Sequence, residues 1–141
     1  MPTPCIYGRT DLTPRERKEL EEKIKTFIDQ GWIEPSVSGW SSSVLFIPKP
    51  GGKLRFWVDY RRLNAVTQLD KSPTPLQAEM LDHLQGAEYF SALDLASGFY
   101  QLSIDAESKP STAFPTAKGQ YQWRVMPMGL TNAPDISNSN V

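Results

Sequence analysis

The sequence predicts an α+β fold in which helices cover one face of a sheet. Two capping-box motifs each precede apolar residues with helical spacing, and two pairs of β-prone segments flank glycine-containing turns. Along the chain the elements follow the order helix, hairpin, helix, strand and hairpin. With 141 residues the chain is long enough for one domain with a hydrophobic core.

The first helix is predicted to begin at a capping box. Thr13 is the N-cap, Pro14 takes the first helical position, and Glu16 can reach back to the amide of the cap. Gly31 can end the helix in the left-handed conformation, which glycine adopts without steric cost. The apolar stripe that should face the core consists of Leu20, Ile24, Phe27 and Ile28.

Two hairpins are predicted from β-prone segments that surround turn residues. In the first, residues 43–47 and 54–60 form the strands, and two prolines and two glycines between them form the tip. In the second, residues 111–116 pair with 120–125 around a turn at Lys118 and Gly119.

A second helix and a central strand are expected between the hairpins. Thr74, Pro75 and Gln77 repeat the capping-box pattern, and Gly86 should stop the helix. Residues 89–93 are predicted to form a strand that runs into Asp94, with a short continuation at 102–104. The stripe of the second helix that should be buried consists of Leu76, Met80 and Leu84.

Composition and charge exclude several classes of protein. Fifteen Lys and Arg against sixteen Asp and Glu give a net charge of -1, so nucleic-acid binding would require a local basic patch. One cysteine and one histidine exclude an internal disulfide and a Cys/His metal cluster. No segment is apolar enough for a membrane span or a signal peptide, so we expect no membrane association and an intracellular, cytoplasmic location.

Asp94 is the strongest single candidate for chemistry. It would follow an apolar strand, where an unpaired carboxylate is costly unless a metal or another partner compensates. One interpretation is a magnesium ligand beside the backbone amides of Ser97 and Gly98, which could bind a phosphate at a helix start. The other is a structural N-cap aspartate, with Gly98 only a turn residue.

The first hairpin carries a local concentration of cations. Arg55 could contact a phosphate while Asp59, on the same face of the strand, braces it. The structural alternative is a solvated hairpin edge, on which lysines prevent strand-to-strand aggregation. The cluster consists of Lys49, Lys53, Arg55, Arg61 and Arg62.

Four ordered segments resemble the reverse transcriptase domain of gypsy-type long-terminal-repeat retrotransposons. They are GWIEPS at 31–36, LRFWVDYRRLN at 54–64, YFSALDLASGFYQ at 89–101 and VMPMGLTNAP at 125–134. The resemblance implies a partial right-hand polymerase fold that contains the fingers hairpin and the first part of the palm sheet with its packed helices. It divides the chain into an extended arm at 1–12, a partial reverse transcriptase domain at 13–134 and a divergent polar tail at 135–141.

The same resemblance implies roles for individual residues. Arg55 and Lys49 would contact the triphosphate, Asp94 would be the first magnesium-binding carboxylate, and Phe99 would exclude a ribose 2′-hydroxyl. The amides of Ser97 and Gly98 would hold the triphosphate, while Met128 and Gly129 would lie beside the templating base and nucleotide. Implied partners are Mg²⁺, an RNA or DNA template-primer, deoxynucleoside triphosphates and the remainder of a polyprotein.

The sequence also departs from the family. Trp57 stands where gypsy-type sequences usually carry a small residue, and Pro115 replaces a usual basic residue. No two aspartates are adjacent, so the family's Tyr-x-Asp-Asp element is absent. We therefore expect a fragment of an RNA-directed DNA polymerase that is inactive alone. The alternatives are a non-catalytic remnant that binds nucleic acid through its basic hairpin, and an unrelated interaction domain.

Overall fold

The structure, a computed structural model, describes residues 11–69 and 76–132. It contains three α-helices, five strands and two short 3-10 helices within these ranges. The α-helices are α1 (Pro14–Asp29), α2 (Arg61–Val66) and α3 (Gln77–Asp82), and the 3-10 helices are Gly98–Gln101 and Lys109–Thr112. The strands are β1 (Ile33–Pro35), β2 (Val44–Pro48), β3 (Leu54–Val58), β4 (Phe114–Thr116) and β5 (Gly119–Trp123).

Local signals at both ends of α1 are confirmed. The Thr13 amide donates to Glu16 Oε2 over 2.8 Å, and the Glu16 amide donates to Thr13 Oγ1 over 3.3 Å. At the other end Gly31 has φ +70° and the Trp32 amide donates to the Phe27 carbonyl over 2.9 Å. The Phe27 and Trp32 rings lie 5.9 Å apart, which is the apolar contact that accompanies this type of helix end.

The strands form two antiparallel sheets. One sheet is the hairpin β2-β3, and the other has the order β1-β5-β4. Both predicted hairpins are confirmed, although residues 111 and 112 belong to a 3-10 helix rather than to the second hairpin. β1, which the sequence analysis did not predict, pairs Ile33 with Trp123 and so joins distant parts of the chain.

An aromatic core lies between α1 and the two sheets. The Phe27 ring is 5.0 Å from that of Trp123 and 5.6 Å from that of Phe56, measured between centroids. Trp123 is 1% exposed and packs in the centre of this core. The buried Tyr60 hydroxyl donates to the Thr112 carbonyl over 2.9 Å, and burial raises the pKa of this phenol well above its ordinary value.

Two predictions for the middle of the chain are wrong. Residues 89–93 form no strand, and the side chains of Tyr89 and Leu93 are 91% and 92% exposed. The second helix exists, but its expected buried stripe is exposed at Leu76, Met80 and Leu84. The apolar face of a helix becomes buried only where another element packs on it, and no element of the described ranges packs on this helix.

The short segment after the 3-10 helix Gly98–Gln101 was expected to continue the strand 89–93, but it pairs instead with the end of the second hairpin. Ser103 forms an isolated bridge with Val125, the Ile104 amide donates to the Arg124 carbonyl, and the Met126 amide donates to the Leu102 carbonyl. The predicted caps Thr74 and Pro75 lie outside the described residues, as do most of the arm and the tail. None of the helices described is long and apolar enough to cross a membrane.

Candidate nucleotide and nucleic-acid site

The tip of the β2-β3 hairpin is held by backbone bonds and by helix α1. The Lys49 amide donates to the Lys53 carbonyl over 2.7 Å, and Gly51 and Gly52 have φ values of +85° and +75°. These left-handed conformations explain the glycines at the tip. Arg15 Nη2 donates to the Gly52 carbonyl over 2.6 Å, so the tip is tied to the first turn of α1.

Arg55 and Trp57 project from the same face of β3, because strand residues alternate between the two faces. Their partners on β2 are Ile47 and Leu45, which are 46% and 42% exposed, so this face points away from the core. On the other face Phe56 contacts Phe27. The structure therefore presents the Arg55 guanidinium on the outer face of the hairpin.

The Trp57 ring brings the loop of Met128 and Gly129 to this outer face. A Cβ atom built on Gly129 would lie only 3.2 Å from Cζ2 of Trp57, so the ring packs directly against the glycine backbone. Met126 and Pro127 are buried, whereas Met128 is 41% exposed. Three residues that the resemblance assigns to nucleotide binding, Arg55, Met128 and Gly129, thus lie on one side of the hairpin.

Asp59 does not brace Arg55, so this prediction is wrong. Its carboxylate binds Arg61 instead, with 2.6 Å between Oδ2 and Nη2 and 2.9 Å between Oδ1 and Nε. The hydrogen bonds from Arg61 lower the pKa of Asp59 and raise that of Arg61. The sequence predicted a strand as far as residue 60, which would place Asp59 on the face of Arg55. The strand instead ends at Val58 and α2 begins at Arg61, so Asp59 lies where the strand alternation no longer holds.

The Asp59–Arg61 pair lines an open cleft of about 480 Å³. Trp40 and three consecutive serines, Ser41 to Ser43, form part of its wall. The Arg61 side chain is 86% exposed, so its remaining donors face solvent. Hydroxyl, indole and guanidinium groups around an open cleft are the donor types that bind phosphate and sugar oxygens of nucleic acids.

Asp94 is exposed, and the argument that a buried strand forces a partner on it is wrong. The structural alternative is also wrong, since the N-cap of the 3-10 helix Gly98–Gln101 is Ser97. Asp94 instead lies in an irregular segment. The residues described include no group of three or more His, Cys, Asp or Glu side chains placed to hold a metal ion, so Asp94 would need ligands from elsewhere.

Ser97 has a backbone conformation that non-glycine residues seldom adopt. Its φ and ψ are 54° and 42°, in the left-handed region, and no other non-glycine residue of the described ranges has positive φ. Such conformations concentrate at binding sites. Gly98 does not need to be glycine for steric reasons, because an added Cβ would meet the Leu95 Cβ at an ordinary 3.5 Å.

Phe99 is half-buried, and its neighbour Tyr100 anchors this segment to the core. The Tyr100 ring stacks on Trp32 at 4.3 Å and on Trp123 at 5.4 Å with an interplanar angle of 6°. Burial raises the pKa of Tyr100. Sequence reasoning missed this anchor, because the ring partners come from positions 32 and 123, far apart in the chain.

Comparison with known proteins identifies the family of this chain as a polymerase family. Residues 47–141 match the family described as reverse transcriptase (RNA-dependent DNA polymerase), and the chain belongs to this family. Among its relatives is the retrovirus-related Pol polyprotein from transposon 297 of Drosophila melanogaster, 40% identical over 94% of this chain and 13% of the relative. Another is the enzymatic polyprotein of cauliflower mosaic virus (strain D/H), 37% identical over 88% of this chain and 19% of the relative.

A solved structure confirms the α+β polymerase fold. The protease-reverse transcriptase of prototype foamy virus superposes with a TM-score of 0.84, at 28% identity, over 99% of this chain and 19% of that one. The chain is thus a fragment of a reverse transcriptase found in retrotransposon and viral Pol polyproteins. It spans about 13% and 19% of the two curated relatives' lengths.

Proposed function

We propose that residues 13–134 form the fingers and the start of the palm of a gypsy-type long-terminal-repeat retrotransposon reverse transcriptase. Residues 1–12 would be an extended arm, and residues 135–141 a polar tail. In the complete domain this region takes part in RNA-directed DNA synthesis. The observation that carries the proposal is the contact between Trp57 and Gly129, which brings the loop of Met128 to the face of β3 that displays Arg55.

The incoming nucleotide would lie against this face. Arg55 would bind the triphosphate, because a guanidinium gives two parallel donors to phosphate oxygens, and Lys49 beside the glycine tip would add a second charge. Amides of Ser97 and Gly98 would hold the same group, with the strained Ser97 backbone orienting them. Phe99 would lie under the sugar, and Met128 and Gly129 beside the templating base.

Asp94 would be one ligand of a magnesium ion that the complete domain holds with further carboxylates. Magnesium prefers oxygen ligands and usually takes one or two carboxylates together with substrate phosphates. When bound, such ions stabilise the attacking and leaving oxygens of phosphoryl transfer. The exposed Asp94 alone gives one carboxylate, so we expect this chain to bind magnesium only weakly and to show no primer extension.

The proposed partners are an RNA or DNA template-primer, deoxynucleoside triphosphates and the remainder of a Pol polyprotein. The remainder would cover the apolar side chains that are exposed along α3 and residues 89–95, because a soluble domain seldom leaves so many together in water. We place the protein inside the cell, in the cytoplasm.

The test of this function compares two neighbouring cations of the hairpin. The chain is continued after Pro134 with the matching region of a relative, and nucleotide addition to a primer is measured by steady-state kinetics. Arg55→Ala should reduce kcat/KM by an amount equivalent to about 1.5 to 3 kcal/mol, the scale of a charge-assisted contact. Lys53→Ala is the matched control and should do much less. Equal losses would mean a diffuse basic patch, and no loss would remove Arg55 from the site.

A non-catalytic remnant that binds nucleic acid is the second candidate. The exposed Arg61 at the open cleft favours it. Binding of this chain to a labelled template-primer should then weaken steeply with salt, because each phosphate contact releases counterions. Arg61→Ala should flatten that dependence, while Lys18→Ala at an exposed position of α1 should not. Primer extension by the unextended chain would contradict this candidate.

A further inference from the structure

The side-chain amide of Asn64 connects helix α2 to the loop that carries Met128 and Gly129. Its Nδ2 donates to the Gly129 carbonyl over 2.8 Å, and its Oδ1 accepts from the Thr131 amide over 3.0 Å. Both ends of one half-buried amide are therefore used by backbone groups 65 and 67 positions later in the chain. The Asn64 side chain therefore donates one hydrogen bond to the loop backbone and accepts one from it, as the backbone of a neighbouring strand would.

Among side chains of this length, only asparagine has both the donor for the Gly129 carbonyl and the acceptor for the Thr131 amide. Aspartate keeps the acceptor for the Thr131 amide but has no donor for the Gly129 carbonyl, and leucine keeps neither. An asparagine inside a helix also competes with the helix backbone for hydrogen bonds, so a position on α2 is unfavourable for it locally. The tertiary contacts to Gly129 and Thr131 offset this preference.

A second restraint reaches the same loop from the preceding strand. The Trp57 ring of β3 packs against the Gly129 backbone, and α2 starts at Arg61, directly after β3 and a short connection. Trp57 and Asn64 thus belong to one continuous segment that holds Gly129 at its Cα and at its carbonyl. Because Arg55 lies on the same face of β3 as Trp57, the restraints fix the loop relative to Arg55 as well.

We propose that Asn64 is a positioning residue, which holds Met128 and Gly129 at a fixed place beside the nucleotide-binding face of the fingers hairpin. Asn64 touches no substrate in this arrangement, and it acts through the backbone of the loop. The proposal rests on the proposed function for its effect on catalysis. The hydrogen bonds between Asn64 and the loop can be tested separately, in the 141-residue chain without any addition.

The first experiment measures amide hydrogen exchange by NMR in the 141-residue chain. In the unsubstituted chain the Thr131 amide should be protected, and Asn64→Leu should speed its exchange by roughly tenfold, the loss of one buried hydrogen bond. Asn64→Asp retains the acceptor but places a carboxylate against the Gly129 carbonyl, so the Thr131 exchange rate should fall between those of the other two chains. The buried Trp123 amide, bonded to Thr112 Oγ1, should stay protected in every variant and so reports an intact fold.

Thr131 exchange at the rate of an unstructured peptide in the unsubstituted chain would overturn the proposal, even if Asn64→Leu fails to fold. Unchanged Thr131 exchange in Asn64→Leu, with Trp123 still protected, would also overturn it. These outcomes do not depend on polymerase activity. If the Thr131 amide is protected but the completed domain never adds nucleotides, the contact between Asn64 and the loop is supported and the proposed function is refuted.

The second experiment tests the consequence for the reaction in the completed domain. Asn64→Leu should raise the KM for the incoming nucleotide by at least about fivefold, because a displaced loop weakens substrate binding. Gln68→Leu, an exposed amide one turn beyond α2, is the control and should leave KM unchanged. A purely structural role would instead lower the amount of active enzyme, which reduces kcat at constant KM, and that result would contradict the proposal.

Discussion

Replacing Gly129 with alanine should destabilise the chain through two separable effects. Gly129 has φ +99°, where an L-residue is strained, and an added Cβ would lie 3.2 Å from the Trp57 ring. The backbone strain costs about 1 to 2 kcal/mol, and a methyl group forced into a packed contact costs about 1 to 3 kcal/mol. Alanine also reduces the conformational freedom of the unfolded chain, which stabilises the folded state by about 0.4 to 1 kcal/mol. We expect a net loss of about 1 to 5 kcal/mol in the free energy of unfolding.

Gly51 is a matched control for the backbone effect. Its φ is +85°, close to that of Gly129, but nothing lies within 4 Å of an added Cβ. Gly51→Ala should therefore cost only the strain, about 1 kcal/mol after the unfolded-state effect. The difference between the two substitutions measures the contact with Trp57. Urea unfolding followed by circular dichroism gives both values, with slopes checked for two-state behaviour.

A double-mutant cycle isolates the same contact. In a Trp57→Ala background the cost of Gly129→Ala should fall by at least about 1 kcal/mol, because the ring that the methyl group strikes is gone. Equal costs of Gly129→Ala in both backgrounds would refute the packing argument. A cost no larger than that of Gly51→Ala in the unsubstituted chain would refute it as well, and would leave the backbone conformation as the reason for glycine.

Three further predictions concern other parts of the site. The Arg61 hydrogen bonds lower the folded pKa of Asp59 below 3.8, so their stabilisation is present above pH 3.8 and is lost as the pH falls through the folded value. In urea unfolding between pH 2 and 7, the free energy of unfolding should fall less at low pH in Arg61→Gln than in Lys18→Gln. Identical pH dependences would contradict the ion pair of Asp59 and Arg61. Ser97→Gly should raise stability by about 0.5 to 1 kcal/mol through relief of left-handed strain, whereas Ser91→Gly should not, and melting temperatures decide between them. In the completed domain Phe99→Val should raise ribonucleotide use relative to deoxyribonucleotide by roughly tenfold, or about 1.4 kcal/mol. An unchanged ratio with a lowered melting temperature would instead assign Phe99 to the core.

The elements that the sequence predicted well are those determined by neighbouring residues. The Thr13 cap needs only Glu16 three positions later, and the end of α1 needs only Gly31 in the left-handed conformation. The β2-β3 hairpin likewise follows from one short turn with two glycines. In each case the decisive contacts lie within a few residues, so a local pattern contains the information.

The elements that were missed depend on distant partners. β1 is three residues long and contains Pro35, so nothing local predicts a strand, and its pairing with β5 creates it. The segment 89–93 has strand composition but no partner among the residues described, and it remains irregular. Of the candidate site, Arg55, Met128 and Gly129 were predicted from motif resemblance. It could not reveal that Trp57 and Asn64 hold them together, since that information is in tertiary contacts.

The pairing of β1 with β5 has a consequence for how the chain folds during synthesis. Ile33 meets Trp123 in this sheet, so the two strands are separated by most of the described sequence. Closing such a long loop has an entropic cost that grows with its length and slows folding. Helix α1 and the β2-β3 hairpin can form early on the ribosome, but their shared aromatic core stays open until Trp123 is made. Until synthesis has passed β5, this region would therefore remain partly folded and accessible to chaperones.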